Sequence, residues 1–77
     1  MKNRPIFEIA AEISADWKKP YFGAVPYIDA MHSLRSIDDR FYYDDARSMV
    51  RYFLANSSTW RGDKAKAIKA ELKEMLK

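Results

Sequence analysis

A chain of 77 residues suffices for one domain, but at this length only roughly 60% of the unfolded surface is buried on folding, so every large apolar side chain is first a core candidate. Its 48% hydrophobic, 14% aromatic and 32% charged residues are a globular rather than a disordered composition. The absence of cysteine excludes disulfides, thiolate zinc sites, iron–sulfur clusters and thiol catalysis.

No apolar run reaches the roughly 18 residues of a membrane span, and Glu8, Glu12 and Asp16 interrupt the one apolar stretch near the N-terminus. The expectation is a cytoplasmic protein with no signal peptide and no membrane partner. The net charge of +3 is uneven. Residues 1–19 carry four basic and three acidic groups, residues 20–60 four and five, and residues 61–77 six and three, so the excess lies at the C-terminal end.

The first predicted helix, about 5–18, opens at Pro5, whose fixed φ suits a first helical position, and places Ile6, Ile9, Ala10, Ile13 and Trp17 on one face. Glu8, Glu12 and Asp16 recur every four residues on its flank. They offer an acidic stripe to a basic partner, or pairs for arginines of the third helix. Pro20 ends the helix, and Tyr21-Phe22-Gly23 reads as a connector in which Gly23 allows a sharp bend.

A second helix, about 25–35, starts near Pro26 and carries Tyr27, Ile28, Met31 and Leu34 or Arg35 in period. Residues 36–43 break that pattern and read as a loop or single turn that inserts Ile37 and Phe41 into the core. The third helix, about 44–56, takes its N-cap from Asp44 or Asp45 and buries Met49, Val50, Phe53 and Leu54. Ser57, Ser58 and Thr59 suit a tight turn and a cap for the fourth helix, about 59–76, which buries Ala65, Ile68, Leu72 and Met75 or Leu76 and holds Gly62 in its first turn. No segment alternates cleanly and no hairpin dipeptide occurs. The predicted class is all-α: a small bundle of three to four helices with no sheet, in one helical domain spanning 1–77.

Chemistry-bearing motifs are few. His32, the only histidine, reads as an exposed or hydrogen-bonded residue, and adjacency cannot make Ser33 its partner because neighbouring helical side chains diverge by about 100°. Asp38, Asp39, Asp44 and Asp45 match no calcium loop, so capping and turn formation account for them ahead of metal binding. The expectation is no catalytic residue, no metal, no cofactor and no enzyme.

Two surfaces remain. Tyr42 and Tyr43 lie between Arg40 and Arg47, an aromatic and arginine cluster of the kind found at protein interfaces and at base-stacking sites. On the fourth helix Lys66, Lys69, Lys73 and Lys77 fall within about 80° of one another. Their like-charge pairs at i and i+4 cost roughly 0.2–0.5 kcal/mol each. With Arg61 and Lys64 in its first turn, this helix and the third have about the turn length of a helix-turn-helix, which makes nucleic acid the alternative partner. The favoured expectation is a helical interaction module that binds a protein.

The stretches Asp-Trp-Lys-Lys-Pro-Tyr-Phe-Gly-Ala-Val-Pro-Tyr-Ile-Asp-Ala-Met (16–31), Val-Arg-Tyr-Phe-Leu-Ala-Asn (50–56) and Thr-Trp-Arg-Gly (59–62) resemble small uncharacterised proteins encoded by bacteriophages and bacterial mobile elements. The resemblance spans most of the chain. It implies a bacterial cytosolic setting and an accessory or host-modulating role, and it carries over no functional residue.

Overall fold

The computed structural model describes residues 4–41 and 44–77; the side chains of Arg40, Phe41 and Asp44 lie outside that description, as do Tyr42 and Tyr43. Four helices form in chain order: α1 (Ile6–Asp16), α2 (Val25–Met31), α3 (Ala46–Ala55) and α4 (Asp63–Met75). The all-α class is as the periodicity predicts. Between α2 and α3, β1 (Arg40–Phe41) and β2 (Asp44–Asp45) form a two-residue antiparallel ladder with Arg40 opposite Asp45. It pinches the loop without forming a sheet layer.

The helices share one core. α1 contributes Ile6, Ile9, Ala10 and Ile13, α3 contributes Met49, Val50 and Phe53, and α4 contributes Ala65, Ile68, Leu72 and Met75. The principal helix pairs are α1–α2, α2–α3 and α1–α4, so α1 lies between α2 and α4.

Three helix ends depart from their predicted positions, the starts of α1 and α4 and the end of α2, while α3 keeps a predicted cap. Pro5 is the N-cap of α1 rather than its first residue, with an extended ψ of 139°. No side chain caps α1. Instead the Ile6 and Phe7 amides donate to the Arg35 and Leu34 carbonyls at 3.0 and 2.8 Å, satisfying donors that every helix start leaves open. The same bonds explain why α2 stops at Met31 rather than at residue 35. Ser33 and Leu34 donate to carbonyls three residues back, tightening the last turn, and the Asp39 carboxylate accepts from the Arg35 amide at 2.7 Å and the Ser36 amide at 3.4 Å. Leu34 is nevertheless buried, as its spacing allows, and Ile37 is buried from the loop, as expected of it.

α3 takes its N-cap from Asp45, whose side chain accepts from the Ser48 amide at 2.8 Å. α4 begins four residues later than residue 59. Its N-cap is Gly62, at φ 114° and ψ 175°, a conformation essentially confined to glycine, so Gly62 precedes the helix instead of lying in its first turn. Ser57 does not cap α4 either, because its hydroxyl donates to the Leu54 carbonyl at the end of α3 at 3.0 Å.

Candidate protein-docking face

The basic and aromatic residues of this chain fall into two groups, one engaged within the fold and one facing outward. In the first, Trp17 stacks on Trp60 with centroids 5.7 Å apart and ring planes 11° apart, and Phe53 meets both edge-on. The Trp60 indole donates to Asp16 at 2.8 Å. Trp60 is thus a core anchor, but it sits in the α3–α4 connector and not on a helix face. Lys69 reaches from α4 under this connector. Its ammonium donates to the Ser57 and Trp60 carbonyls, each at 2.7 Å, and lies 5.9 Å from the Trp60 ring centroid. Burial, with the nearby Lys73 and Arg61 charges, lowers its pKa from the ordinary lysine value.

This geometry corrects the ridge reading. Lys69 turns inward and ties α4 to the connector. Lys64 pairs with Glu12 at 3.4 Å, and Lys77 with Glu74 at 3.3 Å. Lys66, Lys73 and Arg61 remain on the exposed surface. The connector between α3 and α4 runs from Asn56 to Gly62, longer than the tight turn expected, and α3–α4 is not among the principal helix pairs.

The acidic flank of α1 also works inside the fold, though not with arginines of α3. Arg4 grips Glu71 of α4 through Nε and a terminal nitrogen at 3.0 and 2.7 Å, and its other terminal nitrogen donates to Glu12. This fork joins the start of α1 to α4. Hydrogen bonding to Arg4 is the main reason that the Glu12 carboxyl is held below its ordinary range, and the pairing with Glu71 and Glu12 raises the Arg4 pKa.

Of the predicted protein-contact residues, Tyr42 and Tyr43 lie outside the described residues and Arg40 lies in the ladder. Arg47 donates to Asp38 at 3.3 Å. Asp39 organises the turn before the ladder, and Asp45 caps α3. Among the described residues no group of three or more His, Cys, Asp or Glu side chains is placed to hold a metal ion.

The outward group lies between α1 and α2. Phe22 is 80% exposed and Tyr21 44%, and their rings contact each other at 4.8 Å. A Cβ on Gly23 would fall 2.6 Å from the Tyr21 ring and 3.0 Å from Asn56 Oδ1 at the end of α3, so the glycine lets these two side chains approach the connector. Val25 and Tyr52 add further exposed apolar surface, and Tyr52 tilts against Tyr27 at 5.3 Å.

Between α1 and α2 opens a cleft of ≈230 Å³ lined by Ser14, Trp17, Lys18, Pro20, Val25, Ile28 and Asp29. Trp17, Pro20, Val25 and Ile28 form the apolar part of its walls, and Ser14, Lys18 and Asp29 the polar part. Lys18 and Asp29 both line it without forming an ion pair with each other, and Lys19 beside it forms none among the described residues. Ser14 also bonds across to His32 of the α2 end, Oγ to Nε2 at 3.2 Å. Both side chains are exposed, and the bond ties α1 to α2 in keeping with a hydrogen-bonded histidine.

Reading the sequence as a connector missed this face. The available signal was Tyr21-Phe22 enclosed by Pro20 and Gly23, two large rings in a segment without the periodicity that would bury them. No protein-family model, curated protein or solved structure matches the chain.

Proposed function

We propose that this protein is a helical protein-binding module whose contact surface is the Tyr21–Phe22 knob with the cleft between α1 and α2. The observation that carries the reading is Phe22 at 80% exposure against another exposed ring, in the segment between Pro20 and Val25, which both line a cleft. A small domain has few apolar side chains to spare from its core, and contiguous exposed apolar surface with polar groups at its rim is characteristic of contact sites. Aromatic anchors supply much of the energy at such sites. Lys18, Lys19 and Asp29 provide the polar rim. The resemblance of residues 16–31, which contain this face, supports an accessory or host-modulating role in a bacteriophage or mobile element.

Nucleic-acid binding through α4 has less support. Of the five residues proposed for it, Lys69 and Lys64 are engaged by the Trp60 connector and by Glu12, which leaves Arg61, Lys66 and Lys73. Three neutralised phosphates give a log–log salt slope of only about −2.7.

The test is site-specific photocrosslinking in the host cell, with a benzophenone side chain at position 22 or, as a control, at the exposed Ala70 of α4. The expected result is a discrete crosslinked protein at position 22 and none at 70, with affinity for that purified protein reduced by more than about 1 kcal/mol in Phe22→Ala. Equal labelling at both positions, or affinity unchanged in Phe22→Ala, would overturn the reading.

A further inference from the structure

α4 is joined to the other helices at one end only, through the connector, and its principal helix partner is α1 alone. The joint is Gly62. Its φ of 114° belongs to glycine, and among the described residues no atom lies within 4 Å of the place a Cβ would occupy, so the backbone can turn there without leaving a packed contact. On the connector side of this joint the chain is fixed, because Trp60 stacks on Trp17, meets Phe53 edge-on and donates to Asp16. On the other side the ties are of a different kind. Among the described residues, the polar side-chain ties of α4 run from Glu71 to Arg4, from Lys64 to Glu12 and from Lys69 to the Ser57 and Trp60 carbonyls. The Arg4, Glu12, Glu71 and Lys64 side chains are a third to a half exposed, where solvent screening keeps ion pairs weak. The apolar tie is the stripe Ala65, Ile68, Leu72 and Met75.

α1, α2 and α3 close on one another without α4. The Ile6 and Phe7 amides donate to carbonyls after α2, Ser14 meets His32, Trp17 meets Phe53 edge-on, and Tyr27 tilts against Tyr52. We propose that α4 is a latched arm: it leaves the body formed by α1, α2 and α3 as one unit, turning at Gly62 while Trp60 stays seated, and the Lys69 ammonium on the Ser57 and Trp60 carbonyls is the latch nearest the hinge. Openings of this kind are drawn from elements with few neighbours and exposed ties. Release uncovers the apolar stripe of α4 and the α1 surface beneath it, and frees the Lys69 ammonium. A helix of 13 residues is marginal by itself in water, so the released arm loses its amide protection. The device is independent of the docking face proposed above.

Native-state hydrogen exchange of the full chain across low urea concentrations tests the proposal. The amides of residues 67–72 are expected to share one protection value, at least about tenfold below that of Val50 and Phe53 in α3, with a shallower urea dependence because less surface is exposed on opening. Ile28→Val is a mild change at the α1–α2 cleft. It should lower the protection of the α3 amides by about two- to tenfold and leave α4 unaffected, since Ile28 stays packed when only the arm is released. Lys69→Met should lower the α4 protection by about fivefold or more. Unfolding of the whole domain in a single step would give equal protection and equal urea dependence in α3 and α4, and an Ile28→Val effect of the same size on both; either result overturns the proposal. Protection that declines steadily from Ala67 to Leu76 would show fraying from the chain end and overturn it as well. An α4 indifferent to Lys69→Met would remove the latch.

Discussion

Around Trp60 and around Phe22 the chain sets aromatic rings beside lysines, and the two places come out opposite. Trp60 stacks on Trp17, donates to Asp16 and lies against Lys69, whose ammonium also holds two connector carbonyls. Phe22 touches Tyr21 and faces solvent, and Lys18 and Lys19 beside it form no ion pair among the described residues. The difference lies in what surrounds each ring. The α3–α4 connector crosses the end of α1 and is covered by α4, so its rings and carbonyls must be satisfied internally. In the α1–α2 connector the end of α3 reaches Gly23 and Ala24 is fully buried, yet Phe22 is 80% exposed. Residue type alone does not separate an anchor from a contact; what packs against each ring does.

The sharpest way to break this contrast is to truncate both rings. Trp60→Ala is expected to cost about 3–5 kcal/mol, as for other buried aromatics. At about 4–8 °C per kcal/mol in a domain of this size, thermal unfolding would show a drop large enough to threaten folding at 37 °C. A loss below about 1 kcal/mol would mean that the tryptophan stack is not an anchor.

Lys69 comes next. Lys69→Met keeps the aliphatic stem but withdraws the ammonium from the Ser57 and Trp60 carbonyls, and a cost of about 1–3 kcal/mol is expected, chiefly from the Trp60 carbonyl, since the Ser57 carbonyl keeps the Trp60 amide at 3.0 Å. Lys66→Met, one turn away on the exposed surface, should stay within about 0.5 kcal/mol. Equal effects of the two in urea titrations would return Lys69 to a plain surface ridge.

A smaller effect is expected from acid. Arg4 lowers the Glu12 carboxyl below its ordinary value of 4.5, so the stability from this pair is present in full above about 4.5 and is lost as pH falls through the lower folded value. Glu12→Gln should therefore flatten the dependence of the melting temperature on pH below 4.5 relative to wild type. Parallel curves would show that the fork contributes nothing across that window. Both carboxylates and Arg4 are about one-third exposed, which keeps the effect modest through solvent screening.

The smallest change in stability belongs to the outward ring. Phe22→Ser should move the unfolding free energy by no more than about 0.5 kcal/mol, while weakening binding of the protein crosslinked from position 22. Destabilisation approaching that of Trp60→Ala would mean that Phe22 packs against the fold.

The helical class was legible from the chain because apolar periodicity is local. Ile6, Ile9 and Ile13 on α1, Met49, Val50 and Phe53 on α3, and Ile68 and Leu72 on α4 are all buried, as their spacing demands, and Asp45 caps α3 because an N-cap needs only its own next turn. Where the helices end was decided by tertiary contacts. The carbonyls after α2 are taken by amides at the start of α1, nearly thirty residues earlier in the chain. The direction in which Lys69 points depends on a connector that must fold beneath it, and the pairing of Arg4 with Glu71 joins residues 67 positions apart. Exposure of Phe22 is the same kind of property. Pro20 and Gly23 mark a connector in the sequence, but whether another element covers that connector depends on how α1, α2 and α4 pack, which no local pattern encodes.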